Sequence, residues 1–331
     1  MRAKSIWIFI LLGLVFFLVP VVYAHTPLKP GEENHSLETA YEIPNPTKSW
    51  TIYRELHETG EAEYYRLRLE PGETLRISIY TPMAEDPAFA PNLVVMGPGI
   101  PSEGALPEFI EVPDGYGAAL IEAERPEEPE YEPFTPTSYY YLAYFDMEIQ
   151  QGGDYYFAVY EPANEGRYGV AVGYVEEFTL IEWLRIPLDV IGIHQWEGQT
   201  LVVILAPMIV TLVVGLAFLM WKSGMDLSAF KVAATTAGFL YVGSGLMTLA
   251  QMVMALLAAY SNTWFLTMIF ILLPVLIGLT ILWKAIKGKG MRSTKDRALF
   301  AVFGLAGLFA WAGVLIGPAL ALLTSILPSE A

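Results

Sequence analysis

Residues 200–221, TLVVILAPMIVTLVVGLAFLMW, contain no charged side chain. At about 1.5 Å per helical residue, a run of this length reaches the roughly 30 Å needed to cross bilayer hydrocarbon. Only helices and closed barrels satisfy their backbone polar groups in lipid, and the run lacks the apolar/polar alternation of a barrel strand. A transmembrane helix is the expected structure. It divides the chain into an acidic, proline- and tyrosine-rich first half and a second half with three more apolar runs joined by short basic or polar links.

The charge follows that division. Residues 25–199 hold 32 of the 35 acidic residues against nine basic ones, a net of −23, whereas the rest of the chain carries +7. A domain so negative repels nucleic-acid phosphates and anionic lipid, which excludes nucleic acid as a partner and leaves cations, basic proteins or plain solubility. The chain has no cysteine, so disulfides, cysteine metal sites and thiol nucleophiles are excluded. About 175 residues suffice to bury a core without such staples.

Arg2 and Lys4 precede the apolar run 6–19, and Val22-Tyr23-Ala24 supplies small or aliphatic residues ahead of His25. This is the pattern of a signal peptide, residues 1–24, with an uncleaved anchor as the alternative. The other apolar runs lie at 230–260, 264–283 and 298–327. Lys222 and Lys231 flank the first link, and the last carries Lys284, Lys287, Lys289, Arg292, Lys295 and Arg297. By the positive-inside rule both basic links face the cytoplasm, which gives four transmembrane helices over residues 200–327 in a multi-pass plasma-membrane protein. The first domain and the C-terminus are then outside.

In the first half, residues 63–69 (EYYRLRL) and 74–80 (TLRISIY) flank a Glu-Pro-Gly-Glu turn. Further short β patterns occur at 92–96, 118–124, 139–149, 154–160 and 168–175. Period-2 alternation punctuated by Gly, Pro and Asn predicts a β-sandwich over residues 25–177. Residues 97–113 and 124–136, rich in Pro, Gly or acids, are expected to be surface loops.

Residues 35–43 (HSLETAYEI), 62–80 with their Tyr-Arg-Leu strand and Pro-Gly turn, 92–95, and 153–172 (GDYYFAVYEPANEGRYGVAV) together resemble the bacterial and archaeal pre-peptidase C-terminal domain. The resemblance implies a jelly-roll-like sandwich attached to a secreted or surface protein, binding or assisting rather than catalysing. Asn92 stands where members often carry an acidic residue, and the 97–136 segment is a long insertion.

Residues 178–199 form an apolar collar broken by Pro187 and Gly192. Trp183 and Trp196 suit a membrane interface, so the collar is expected against the bilayer or the outer helix ends.

Four histidines, His25, His35, His57 and His194, fall on the non-cytoplasmic side. After signal cleavage His25 would present an amine and an imidazole together, a chelate for copper that His35 or His57 could complete. Asn34-His35-Ser36 is a glycosylation sequon. His57-Glu58 lacks the second histidine of a zinc-protease motif, and Gly243-Ser244-Gly245 lies in an apolar run rather than a nucleophile elbow, so no catalytic constellation emerges. No ionisable residue sits at membrane depth, which disfavours ion-coupled transport. Gly238, Gly243, Gly245, Gly304, Gly307, Gly313 and Gly317 suit close helix packing, within the chain or in an oligomer. The leading expectation is a surface-anchored, non-enzymatic protein that binds an extracellular ligand or a protein partner. A copper-binding protein and an accessory subunit of a membrane complex are the alternatives.

Overall fold

A computed structural model describes residues 25–31, 34–58, 60–223, 228–287 and 294–327. The signal segment 1–24 lies outside the described residues. Among the described residues eleven strands form two mixed sheets. One has the order β1 (Thr26–Leu28), β3 (Trp50–Leu56), β11 (Gly166–Val172), β5 (Thr74–Pro82), β9 (Thr137–Glu148), β8 (Glu130–Glu132). The other has β2 (Tyr41–Glu42), β4 (Ala62–Leu69), β10 (Gly153–Tyr160), β6 (Asn92–Gly97), β7 (Gly117–Ile121). The pairs β1/β3 and β2/β4 are parallel and the others antiparallel. Alternation places Leu75, Ile77 and Ile79 of β5 on one face, where they share a core with Leu67, Leu69, Val95 and Phe157 of the other sheet. Each such fully buried side chain contributes about 1.5–3 kcal/mol.

A polar cluster crosses this core. Arg54 on β3 grips the fully buried Glu63 on β4, its Nε donating to both oxygens at 2.9 and 2.8 Å. Tyr65 and Tyr168 donate to Glu63 Oε2 at 2.8 and 2.5 Å. Arg54 also donates to Asn34 Oδ1 at 3.1 Å, and Asn34 Nδ2 donates to the carbonyl of Tyr64. Asn34 is therefore spent inside the fold at 2% exposure, which corrects its reading as a glycosylation site.

Helix α1 (Leu180–Trp196) opens with a capping box between Thr179 and Glu182, and the same Glu182 accepts both contacts from Lys48 Nζ at 2.8 and 2.9 Å. Among the described residues three helices are long and apolar enough to cross a membrane: α2 (Leu201–Ser223), α3 (Ala229–Ala258) and α4 (Trp264–Lys287).

The last apolar run is not one span. It divides into α5 (Thr294–Phe309), a 3-10 turn (Ala312–Leu315) and α6 (Ile316–Ile326). Trp311, Gly313, Val314 and Leu315 all have positive φ, a conformation that costs an L-residue roughly 1–2 kcal/mol. The turn reverses the chain: Gly304 backs onto Leu322, and Arg297 Nη1 donates to the carbonyl of Ser325 at 3.4 Å. At 16 residues, α5 is about 24 Å long. α6 therefore ends at the end of the bundle where α5 begins, rather than running on as a fourth continuous span.

The glycines serve packing inside the chain. A Cβ on Gly238 would meet Leu282, on Gly243 Met208, on Gly245 the carbonyl of Ile271, and on Gly307 or Gly317 the ring of Tyr241. These faces are filled within one chain.

Candidate functional site

The β region is joined to the bundle along the β8–β9 edge. Tyr131 donates to Thr267 Oγ1 at 2.6 Å, because Thr267 gives its own proton to the carbonyl of Pro133 at 2.8 Å. Ser138, 1% exposed, donates to the carbonyl of Ala255 at 3.2 Å. An aromatic seam continues inward: Phe134 meets Phe270 edge-on, Phe270 stacks on Trp311 at 4.7 Å, and Trp311 contacts Trp183 at 4.8 Å. Trp183 Nε1 donates to the carbonyl of Phe309, and Trp311 Nε1 to that of Trp183. The second half of the 124–136 segment is therefore a docking element rather than a solvated loop.

Helix α1 covers the outer face of the first sheet. Trp196 enters a cluster of Tyr53, Tyr80 and Tyr139 with ring centroids 4.8, 6.3 and 6.2 Å away, and its Nε1 donates to the carbonyl of Arg54 at 3.0 Å. Trp196 is half-buried there, packed on the sheet. Gly169 makes room for the cluster, since a Cβ there would lie 2.2 Å from the Tyr80 ring.

Two cavities of about 60 Å³ each lie along this junction, sharing Phe134, Ile186, Val190 and Trp311 as walls. One is bounded by Tyr53, Tyr80, Tyr139 and Tyr141 with His25, Glu132 and Asp189. Burial pushes the Glu132 carboxyl up to about 7, with the Phe134 amide opposing and the Glu176 carboxylate adding to the shift. Burial lowers His25 to about 4, so its imidazole is neutral at ordinary pH. Burial also raises Asp189, against the pull of Arg185 and Lys29.

The other cavity is bounded by His194, Ser244, Thr248 and Gln251. His194 Nδ1 meets Glu197 Oε2 at 2.8 Å, and Tyr139 donates to Glu197 Oε1 at 2.9 Å. A carboxylate accepting both contacts places the proton on Nδ1 and leaves Nε2 as an acceptor, buried and without a hydrogen-bond partner. Ser244 gives its proton to the carbonyl of Tyr241 at 2.9 Å and accepts from Gly313 N at 2.8 Å. Its hydroxyl proton is committed to backbone, so the arrangement holds no activated serine.

The three histidines expected to hold copper separate. His25 Nδ1 lies 2.5 Å from Ser49 Oγ at the start of β3, while His57 follows the far end of that strand. Eight residues of extended chain between Ser49 and His57 span about 26 Å. His35 and His57 do come to one carboxylate: His35 Nδ1 is 3.1 Å from Glu61 Oε1, and the His57 amide donates to Glu61 Oε2 at 2.6 Å. Among the described residues no group of three or more His, Asp or Glu side chains is arranged to hold a metal.

Sequence reasoning missed Glu132, Asp189 and Glu197. The signal nearest to them was aromatic: tyrosines at 139, 140 and 141 put rings on both faces of β9, more than a one-sided sheet requires. Comparison of the sequence with family profiles and with curated proteins gave no match.

Proposed function

We propose that the chain is a membrane-anchored binding protein. In this reading it holds an acidic, jelly-roll-like β-sandwich on the outer side of the plasma membrane and takes up a ligand where that domain meets its own helices. The observation that carries the reading is Glu132. Its carboxyl is desolvated where it lines a partly open cavity at the junction, and it has no lysine or arginine ion-pair partner among the described residues. Burying a carboxylate without a cation is costly, and such groups concentrate at functional sites. The lysines and arginines that flank the two links, away from the β region, support the orientation.

The absence of cysteine makes the test clean. Glu128→Cys should react with an impermeant maleimide on intact cells, and Lys287→Cys only after permeabilisation; the reverse pattern would overturn the orientation. Thermal melts of the purified full chain against a panel of small organic cations, anions and neutral compounds test the binding half. The expected result is stabilisation by one charge class, abolished when Val190→Phe fills the cavity wall. A correctly oriented protein that no compound stabilises would leave an anchor without this binding function.

A further inference from the structure

The charged groups that line the tyrosine cavity are acidic, and the nearest cation, Arg185, lies outside the lining, 3.7 Å from Asp189. Glu132 enters from β8 and Asp189 from α1, Glu176 lies close enough to act on Glu132, and Glu197 is reached through Tyr139. Neither lysine nor arginine is among the lining residues, and His25, the basic side chain present, is uncharged. The remaining wall is largely aromatic. Elsewhere in the chain, rings are already covered by the chain's own cations: Lys48 over Trp50, Arg76 over Tyr174, Arg125 over Tyr140. Among the described residues no such cation covers Tyr53, Tyr80, Tyr139 or Tyr141.

We infer that this cavity is the binding site of a small organic ammonium ion, held by the Glu132 and Asp189 carboxylates against the tyrosine rings. The inference rests on the proposed binding function and specifies its ligand class. Aromatic faces attract an alkylated ammonium through the ring quadrupole, most strongly where water is excluded. A divalent metal fits less well, because it requires about six oxygen ligands and the lining offers two carboxylates and no three-membered ligand group. About 60 Å³ admits several heavy atoms, the size of a methylated amine rather than a lipid or a peptide. The neighbouring His194 cavity has no comparable uncompensated acid, since Glu197 is bonded to both His194 and Tyr139.

Isothermal titration of the full chain in neutral detergent, with about 0.3 M sodium chloride to screen the acidic surface, decides the matter. Tetramethylammonium should give a saturable one-site isotherm, and tert-butanol, neutral and of similar size, should give none. Glu132→Gln, which keeps the acceptor for the Phe134 amide, should weaken tetramethylammonium binding about tenfold or more. Lowering the pH from about 8 to about 5.5 should weaken it similarly in the wild type, because Glu132 takes up a proton there. Should Glu132→Gln melt abnormally, the pH series and Asp189→Asn carry the same test. Equal binding of tert-butanol would overturn the cation inference and leave the ligand cavity standing. Absence of tetramethylammonium binding, or binding indifferent to Glu132, Asp189 and pH, would overturn it as well.

Discussion

Tyr139 on β9 and Glu197 at the end of α1 are joined by a 2.9 Å hydrogen bond that links the first sheet to the helix covering it. The other oxygen of the same carboxylate meets His194. Tyr139→Phe removes the donor and leaves a buried carboxylate oxygen unsatisfied, which should lower stability by about 1–3 kcal/mol. Thermal or denaturant unfolding of the full chain measures the loss. An unchanged midpoint would mean that α1 is not fastened to the sheet through this pair.

The Arg54–Glu63 pair makes a different demand, because both partners lie within the core that the two sheets share. Glu63→Leu alone strands the guanidinium and should destabilise by about 3–5 kcal/mol. Arg54→Met combined with Glu63→Leu should recover much of that loss, since a buried pair is costly to break and cheap to replace. A double variant no more stable than the single one would show that the tyrosine hydroxyls, rather than the charge pair, set the cost.

Glu132 gives the stability curve a recognisable slope. Its folded value of about 7 lies above the ordinary 4.5, so between these limits the folded chain holds a proton that the unfolded chain has released. Its contribution is therefore greatest at low pH and declines as pH rises through about 4.5 to 7. His25 acts in the opposite sense: its value falls from 6.5 to about 4, and its contribution grows as pH rises across that interval. The difference between wild type and Glu132→Gln isolates the first effect. The variant should gain on the wild type with rising pH by up to about 3 kcal/mol, measured as paired melts. A constant difference across the range would mean that Glu132 is solvated.

The α5–α6 hairpin fixes where α6 ends. Arg297 and Ser325 are in contact, so Ile326→Cys should be labelled from the same side as Lys287→Cys. Labelling of Ile326→Cys together with Glu128→Cys would restore a fourth continuous span.

The strands with clean alternation and the three uninterrupted apolar helices were legible, because period and length are local properties. The hairpin was not. Residues 298–327 contain no charge that marks a reversal, and the unwound turn depends on Ser244 capturing the Gly313 amide from another helix. Likewise Asn34 reads as an exposed sequon until Arg54, 20 residues later, claims its oxygen. Glu132 lies in a run of acids and prolines that reads as solvated. It is half-buried because Thr267 binds Tyr131 and Pro133 across more than 130 residues. Spacing also conceals that a straight strand separates His25 from His57.

The seating of the β region on the helices is tested most directly at Ser138, whose side chain is buried against the carbonyl of Ala255. In the otherwise cysteine-free chain, Ser138→Cys should resist maleimide in the native full-length protein and react fully once denatured, while Glu128→Cys reacts rapidly in both states. Equal native reactivity at the two positions would contradict a β region docked on its membrane helices, and with it a ligand site at their junction.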